Sequence, residues 1–269
     1  MPRLLFIGDI VGDIGLHIAR DLIPRMIRDY GCAFCIVNGE NADQGKGINK
    51  QQAEKLLKAG ADVITGGNHS FQRNSHEVLN HPDFKTLRPA NYPAGNPGEG
   101  VMAIEKKEHS LLVINLQGRS FLPPIDCPFQ KMDDLLKHYQ QRYKHIVVDF
   151  HAEASAEKLA FAWNFDGKVT AIFGTHTHVQ TADARILPLG TAYITDAGMT
   201  GAADSVIGME PETAVKRFRT QHLKYFKLAH RNPKISAVFV DYDERNGKSR
   251  KIVAHHISRE QYDAKGLIA

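Results

Sequence analysis

Along the chain, short apolar runs alternate with segments whose apolar residues recur at helical spacing. Arg3 to Ile7 predicts a strand. Ile14 to Tyr30, with Ile18, Leu22, Ile23, Met26 and Ile27 on one face, predicts a helix, and Ala33 to Val37 a second strand. Asn49 can cap a helix that runs to Ala59 and stops at Gly60, and Val63 to Thr65 forms the next strand. A short helix around Ser75 to Leu79 precedes PANYPAGNPGEG, which reads as an irregular loop because strands resume at once, at Val101 to Glu105 and Leu111 to Asn115.

The second half keeps the rhythm. A helix is predicted over Met132 to Tyr143, a strand over Ile146 to Phe150, a helix over Ala156 to Trp163 and a strand over Val169 to Phe173. Further strands are expected at Ala184 to Pro188 and Ala192 to Thr195, and a helix from about Pro211. A closing hairpin, Ala237 to Tyr242 and Lys251 to His256, turns at Asn246-Gly247. Antiparallel pairs thus accompany β-α-β units, which excludes a purely parallel sheet or a regular barrel and favours a mixed α/β sandwich with helices outside. No repeat or linker divides the chain, so residues 1–269 are expected to form a single domain.

Composition narrows the function classes. The 34 Lys and Arg against 30 Asp and Glu are interspersed, so neither a nucleic-acid arm nor a stacking platform is evident, and a stable nucleic-acid partner is not expected. No apolar run is long enough to span a membrane. Three cysteines make no closed disulfide framework, and MPRLLFIGDIVGD does not read as a signal peptide, so a cytoplasmic location is expected. A homo-oligomer is compatible with all of this. The 14 histidines are many for a chain of this length, and their positions carry the chemistry.

In α/β folds, reactive groups collect beyond the carboxyl ends of buried strands, where the strand fixes the position and the loop frees the side chain. Here Asp9 follows one predicted strand, Glu40 and Asn41 a second, Asn68 and His69 a third, His151 a fourth, and His176 and His178 a fifth. Glycines 8, 39, 66, 67 and 174 lie beside most of them. Singly, each residue has a plainer role. Asp9 and Glu40 could be helix-capping carboxylates, Asn68-His69 a turn, His151 a hydrogen-bonded core residue, and His176 and His178 unrelated polar residues on a strand exit. If that exit is extended, the two rings point to one face and can meet a common metal. Jointly, two carboxylates, two amides and several imidazoles form an N/O ligand set without sulfur, suited to Fe, Mn, Zn, Ni or Co. There are ligands enough for two ions, with Glu40 as the natural bridge, and such a centre should attract phosphate esters.

The order Gly8-Asp9, Gly39-Glu40-Asn41, Gly67-Asn68-His69, a lone strand-end His151 and Gly174-Thr175-His176-Thr177-His178 resembles the calcineurin-like metallophosphoesterases. Two departures from their commonest form are Ile10-Val11 in place of a histidine after the first aspartate, and Glu40 in place of a bridging Asp. Both departures, with Asp196-Ala197-Gly198-Met199-Thr200-Gly201, are similar to the YmdB-like branch, the 2′,3′-cyclic-nucleotide 2′-phosphodiesterases. The resemblance implies a four-layer α/β/β/α sandwich of two mixed sheets flanked by helices, with two divalent or trivalent metal ions, iron foremost and manganese or zinc as substitutes. It implies Asp9, Glu40, Asn41 and His178 on one ion, Glu40, Asn68, His151 and His176 on the other, and His69 as general acid. The implied reaction is attack by a metal-bound hydroxide on a small cyclic nucleotide, with a 3′-nucleotide as product. A phosphomonoesterase, a 3′,5′-cyclic-nucleotide phosphodiesterase, and a non-enzymatic RNA-binding regulator with a structural metal centre are the alternatives.

Other signals are weaker. Gly39 to Gly47 departs from a P-loop in its spacing and has no Ser or Thr for a magnesium ion. Cys32 and Cys35 enter a strand and read as structural thiols, and His255-His256 reads as an exposed strand end. Arg119 and the loop Met199 to Met209 are candidate substrate or subunit contacts.

Overall fold

A computed structural model describes residues 1–106, 109–222 and 227–265. In chain order the elements are β1 (Arg3–Ile7), β2 (Asp9–Ile10), α1 (Gly12–Tyr30), β3 (Cys32–Asn38), α2 (Lys50–Lys58), β4 (Val63–Thr65), α3 (Ser75–Leu79), β5 (Val101–Lys106), β6 (His109–Gln117) and α4 (Pro128–Tyr139). There follow β7 (Ile146–His151), α5 (Ser155–Asn164), β8 (Ala171–Thr175), β9 (Arg185–Ile186), β10 (Ala192–Ile194), β11 (Met199–Ala202), α6 (Pro211–Thr220), β12 (Pro233–Tyr242), β13 (Ser249–Ile257) and α7 (Arg259–Lys265).

The strands form two mixed sheets, one ordered β2-β11-β12-β1-β3-β4 with β13 on β12, the other β5-β6-β7-β8-β10-β9. Strict alternation sorts β1 between two interiors. Leu4 and Phe6 face the second sheet, where Phe6 stacks on Phe173 with ring centroids 4.4 Å apart, while Leu5 and Ile7 pack under α1 and α2. A third cluster joins the far face of the second sheet to α4 and α5 through Leu112, Ile114, Val148, Phe150, Met132 and Phe161. Helix, sheet, sheet and helix thus make the expected four layers. Burial on both faces explains why the central strands are continuously apolar.

Local signals behave as their chemistry requires. Asn49 and Gln52 form a reciprocal capping box at the start of α2. Gly60 follows that helix at φ +111°, where a Cβ would lie 2.7 Å from Ile27. Helix α4 starts four residues before the predicted Met132, because Pro128 occupies the first turn, and it ends at Tyr139 rather than Tyr143. The segment after Asp196 is not a plain loop, since Met199–Ala202 is a strand whose Met199 pairs with Asp9. Cys32 and Cys35 are buried free thiols, as expected. Among the described residues, no helix is long and apolar enough to cross a membrane.

Candidate metal centre

Parallel strands of both sheets end at one edge of the sandwich, and all eight sequence-predicted site residues meet there. Glu40, His151 and His176 place ligand atoms within 4.8 Å of one another. His151 Nε2 lies 3.0 Å from Glu40 Oε1, 2.9 Å from Asn68 Oδ1 and 3.0 Å from His176 Nδ1. The Asn41 side chain is 3.1 Å from the same Glu40 Oε1 and 3.2 Å from His178 Nε2, which is 3.4 Å from Asp9 Oδ2. Among the described residues, Glu40, His151 and His176 form the one His/Cys/Asp/Glu cluster close enough to hold an ion, and Asn41, His178 and Asp9 adjoin it through Glu40.

These residues fit a cation. One ring N–H on His151 cannot serve three neighbours at once, whereas an ion bonded at roughly 2.1 Å to octahedrally placed N/O ligands would hold adjacent ones about 3 Å apart. Asp9 Oδ1 is buried without a hydrogen-bond partner. Its backbone surroundings also differ from a helix cap: α1 begins after Val11 with no side-chain cap, and Asp9 Oδ2 instead accepts the His176 N–H at 3.1 Å. Gly67 gives the pair Glu40 and His151 their room, since a Cβ there would lie 2.3 Å from Glu40 Oε2 and from a His151 ring carbon.

The charges of Glu40 and His151 set the electrostatics of the cluster. Burial works to raise the Glu40 pKa, but the facing His151 outweighs it and holds the carboxyl below the usual range. Burial likewise works to lower the His151 pKa, and the Glu40 carboxylate outweighs it and raises it. Burial and the charge of His151 push His176 down to about 3. A cation bound beside Glu40 would favour the neutral imidazole, because coordination requires its free lone pair.

His176 and His178 do not share a face of an extended segment, as their spacing suggested. Strand β8 stops at Thr175, and both histidines have positive φ, 103° and 67°. His176 therefore turns to His151, and its other ring nitrogen Nε2 lies 3.0 Å from Glu153 Oε2 in the cleft wall. His178 turns instead to Asp9 and Asn41, with Nδ1 donating to the Ile207 carbonyl at 3.0 Å. Such backbone strain costs on the order of 1–3 kcal/mol per residue and needs support. Thr177, between the two, donates its N–H to Asp196 Oδ2 at 3.0 Å, and Asp196 is itself held by the buried Lys158 ammonium at 2.7 Å.

The centre opens into a cleft of about 300 Å³ whose lining includes His69, Lys46, Gln44 and Glu153, with Ile207, Met209 and Leu228 as an apolar wall. His69 donates its backbone N–H to Glu40 Oε2 at 3.0 Å, which leaves the ring in the cleft. Burial lowers its pKa, with Glu40 opposing. Met209 of the predicted contact loop lines the cleft, and Arg119 does not; its backbone N–H is bonded to Glu157. The supporting polar residues Asn38, Thr65, Asp149 and Glu153 escaped the sequence reading, and Asp196 entered it only within a family motif. A charged residue inside an apolar strand, as in Val148-Asp149-Phe150, was the available signal.

Two mixed sheets between helices, with such a ligand set at their shared strand ends, are the calcineurin-like metallophosphoesterase architecture. Within it the chain belongs to the YmdB-like family, described as YmdB-like protein, whose family model matches residues 5–254. It is 47% identical over 252 residues to the 2′,3′-cyclic-nucleotide 2′-phosphodiesterase of Bacillus subtilis strain 168, covering 93% of this chain and 95% of that one. A crystal structure of a hypothetical protein from Thermus thermophilus superposes with a TM-score of 0.89 at 38% identity, covering 95% of this chain and 98% of the other. That of a novel phosphatase from Mycoplasma pneumoniae superposes with a TM-score of 0.88 at 36% identity, covering 95% and 93%.

Proposed function

We propose that this chain is a metal-dependent phosphodiesterase that opens 2′,3′-cyclic nucleotides at the 2′ oxygen to give 3′-nucleotides. The carrying observation is the cluster of Glu40, His151 and His176, with Asn41 against Glu40, in a cleft that also holds His69. The activity for which the Bacillus subtilis relative is named supports the same substrate class. In this reading residues 1–269 act as one cytoplasmic domain on a small molecule, without a membrane or nucleic-acid partner.

Asp9, Glu40, Asn41 and His178 would hold one ion, and Glu40, Asn68, His151 and His176 the other, with iron as the metal and manganese or zinc able to replace it. Bound there, the ions supply Lewis acidity and positive charge for a phosphodiester anion. The chain's own residues do the rest. Lys46, exposed on the cleft rim, attracts the anion. His69 carries a proton to the departing 2′ oxygen, and burial, by lowering its pKa, makes that proton easier to give up. The apolar wall excludes water from one side of the cleft.

The test is turnover of 2′,3′-cyclic AMP with product identification, beside a 3′,5′-cyclic nucleotide, an open diester and a monoester on the same metal-loaded preparation. The reading expects 3′-AMP as the preferred product. The Mycoplasma pneumoniae relative, described as a novel phosphatase, favours monoester hydrolysis as second reading, and faster monoester turnover would select it. His69→Ala should lower kcat by about 10²–10⁴-fold with metal retained. Full turnover in that variant together with tight, salt-sensitive RNA binding would replace the enzymatic reading by a regulatory one.

A further inference from the structure

We propose that Asp149 is a positioning residue which, through the hydroxyl of Thr175, fixes the His151 ring so that its Nε2 lone pair faces the ligand cluster. The inference rests on reading that cluster as a metal centre. It concerns a residue behind the centre, fully buried and absent from the lining of the cleft.

The direction of each hydrogen bond follows from counting protons. Asp149 Oδ2 accepts from the Thr65 hydroxyl and, at 2.9 Å, from Asn38 Nδ2. Asp149 Oδ1 accepts from the Thr175 hydroxyl at 2.7 Å. A threonine has one hydroxyl proton, and Thr175 has given it to Asp149. Its oxygen can therefore only accept from His151 Nδ1, 2.9 Å away. With the proton on Nδ1 so committed, Nε2 is the nitrogen left for a cation, and it is the one facing Glu40, Asn68 and His176.

The same carboxylate sets the bridging ligand. Asn38, whose Nδ2 donates to Asp149, accepts the Glu40 backbone N–H on its Oδ1 at 3.1 Å. Asn38 and Thr65 belong to one sheet, and Thr175, His151 and Asp149 to the other. Asp149 thus joins the sheets directly behind the cluster and transmits their spacing to the separation of Glu40 and His151. A purely structural clamp would need the bonds to Thr65 and Asn38, but it has no use for a hydroxyl handed on to a histidine.

The experiment titrates Mn²⁺ alone into metal-free full-length protein by calorimetry, for the wild type, Thr175→Val, Thr175→Ser and Asp149→Asn, with thermal melting of each metal-free protein alongside. Thr175→Val removes the hydroxyl from both His151 and Asp149 and leaves Thr65 and Asn38 on Asp149. It should weaken Mn²⁺ binding by about 10–100-fold, the usual cost of losing a partner behind a metal ligand. Thr175→Ser should restore wild-type affinity, and Asp149→Asn should fall with Thr175→Val. If Asp149→Asn does not fold, the two Thr175 variants carry the test. Wild-type affinity in Thr175→Val, or an equal loss in Thr175→Ser, overturns the inference while leaving the metal centre intact. A wild type that takes up no Mn²⁺ removes the metal-centre reading and this inference with it.

Discussion

Lys158→Met tests how the strained His176-Thr177-His178 turn is held. The Lys158 ammonium is 1% exposed and 2.7 Å from Asp196 Oδ2, in a carboxylate that also accepts the backbone N–H groups of Thr177 and Gly198. Removing only the ammonium leaves a buried carboxylate with two neutral donors, and breaking a buried pair in this way costs about 3–5 kcal/mol. At roughly 2–3 °C per kcal/mol for a chain of this size, Tm should fall by about 6–15 °C. The pair itself is worth less than that figure, because the figure includes the stranded charge. Asp196→Asn, which strands Lys158 instead, should therefore also be costly, and Lys158→Met with Asp196→Asn should cost less than the sum of the single changes. Scanning calorimetry of the four metal-free proteins gives the complete cycle. Single losses under about 1 kcal/mol, or strict additivity in the double variant, would refute the buried-pair argument.

The remaining expectations concern the cluster and the acid stability of the fold. Glu40→Ala and Asp9→Ala should lose metal and activity together, read by elemental analysis beside turnover, and full occupancy in either would remove that residue from the ligand set. Gly67→Ala should abolish metal uptake in a chain that still folds, because the added Cβ would fall 2.3 Å from Glu40 Oε2; unchanged uptake would mean the loop yields. Hydrogen bonds from Arg245, and then Arg250, hold the Asp243 carboxyl well below the usual range. Its stabilising contribution is thus fully present above an unfolded carboxylate's pKa of about 4 and lost as pH falls through the lower folded value. Acidifying from pH 5 to pH 2 should lower the wild-type Tm more than that of Asp243→Asn, and parallel curves would contradict the assignment.

Much of the site was legible because its residues sit where strands end. Asp9, Glu40, Asn41, Asn68, His69, His151, His176 and His178 follow apolar runs, and a strand that is buried on both faces can deliver a polar side chain only beyond its end. Asp149 and Thr175 were not legible in this way. Asp149 lies inside β7, where a polar residue is ordinarily a defect, and Thr175 ends β8 as its partner; both are tolerated because each finds the other on the neighbouring strand.

The chain order alone therefore placed the candidate ligands at strand ends, since hydrophobic periodicity is local and needs no knowledge of the neighbouring strand. Which ligands face each other was decided only by tertiary structure. Asn38 meets Asp149 across 111 residues, and His176 meets Asp9 across 167. His176 and His178 show the division most plainly. Their spacing suggested a single shared face, but dihedral angles imposed at the end of β8 and stabilised by Asp196 turn the two rings to different groups. Side-chain direction depends on backbone angles fixed by packing, and a two-residue spacing in sequence does not contain them.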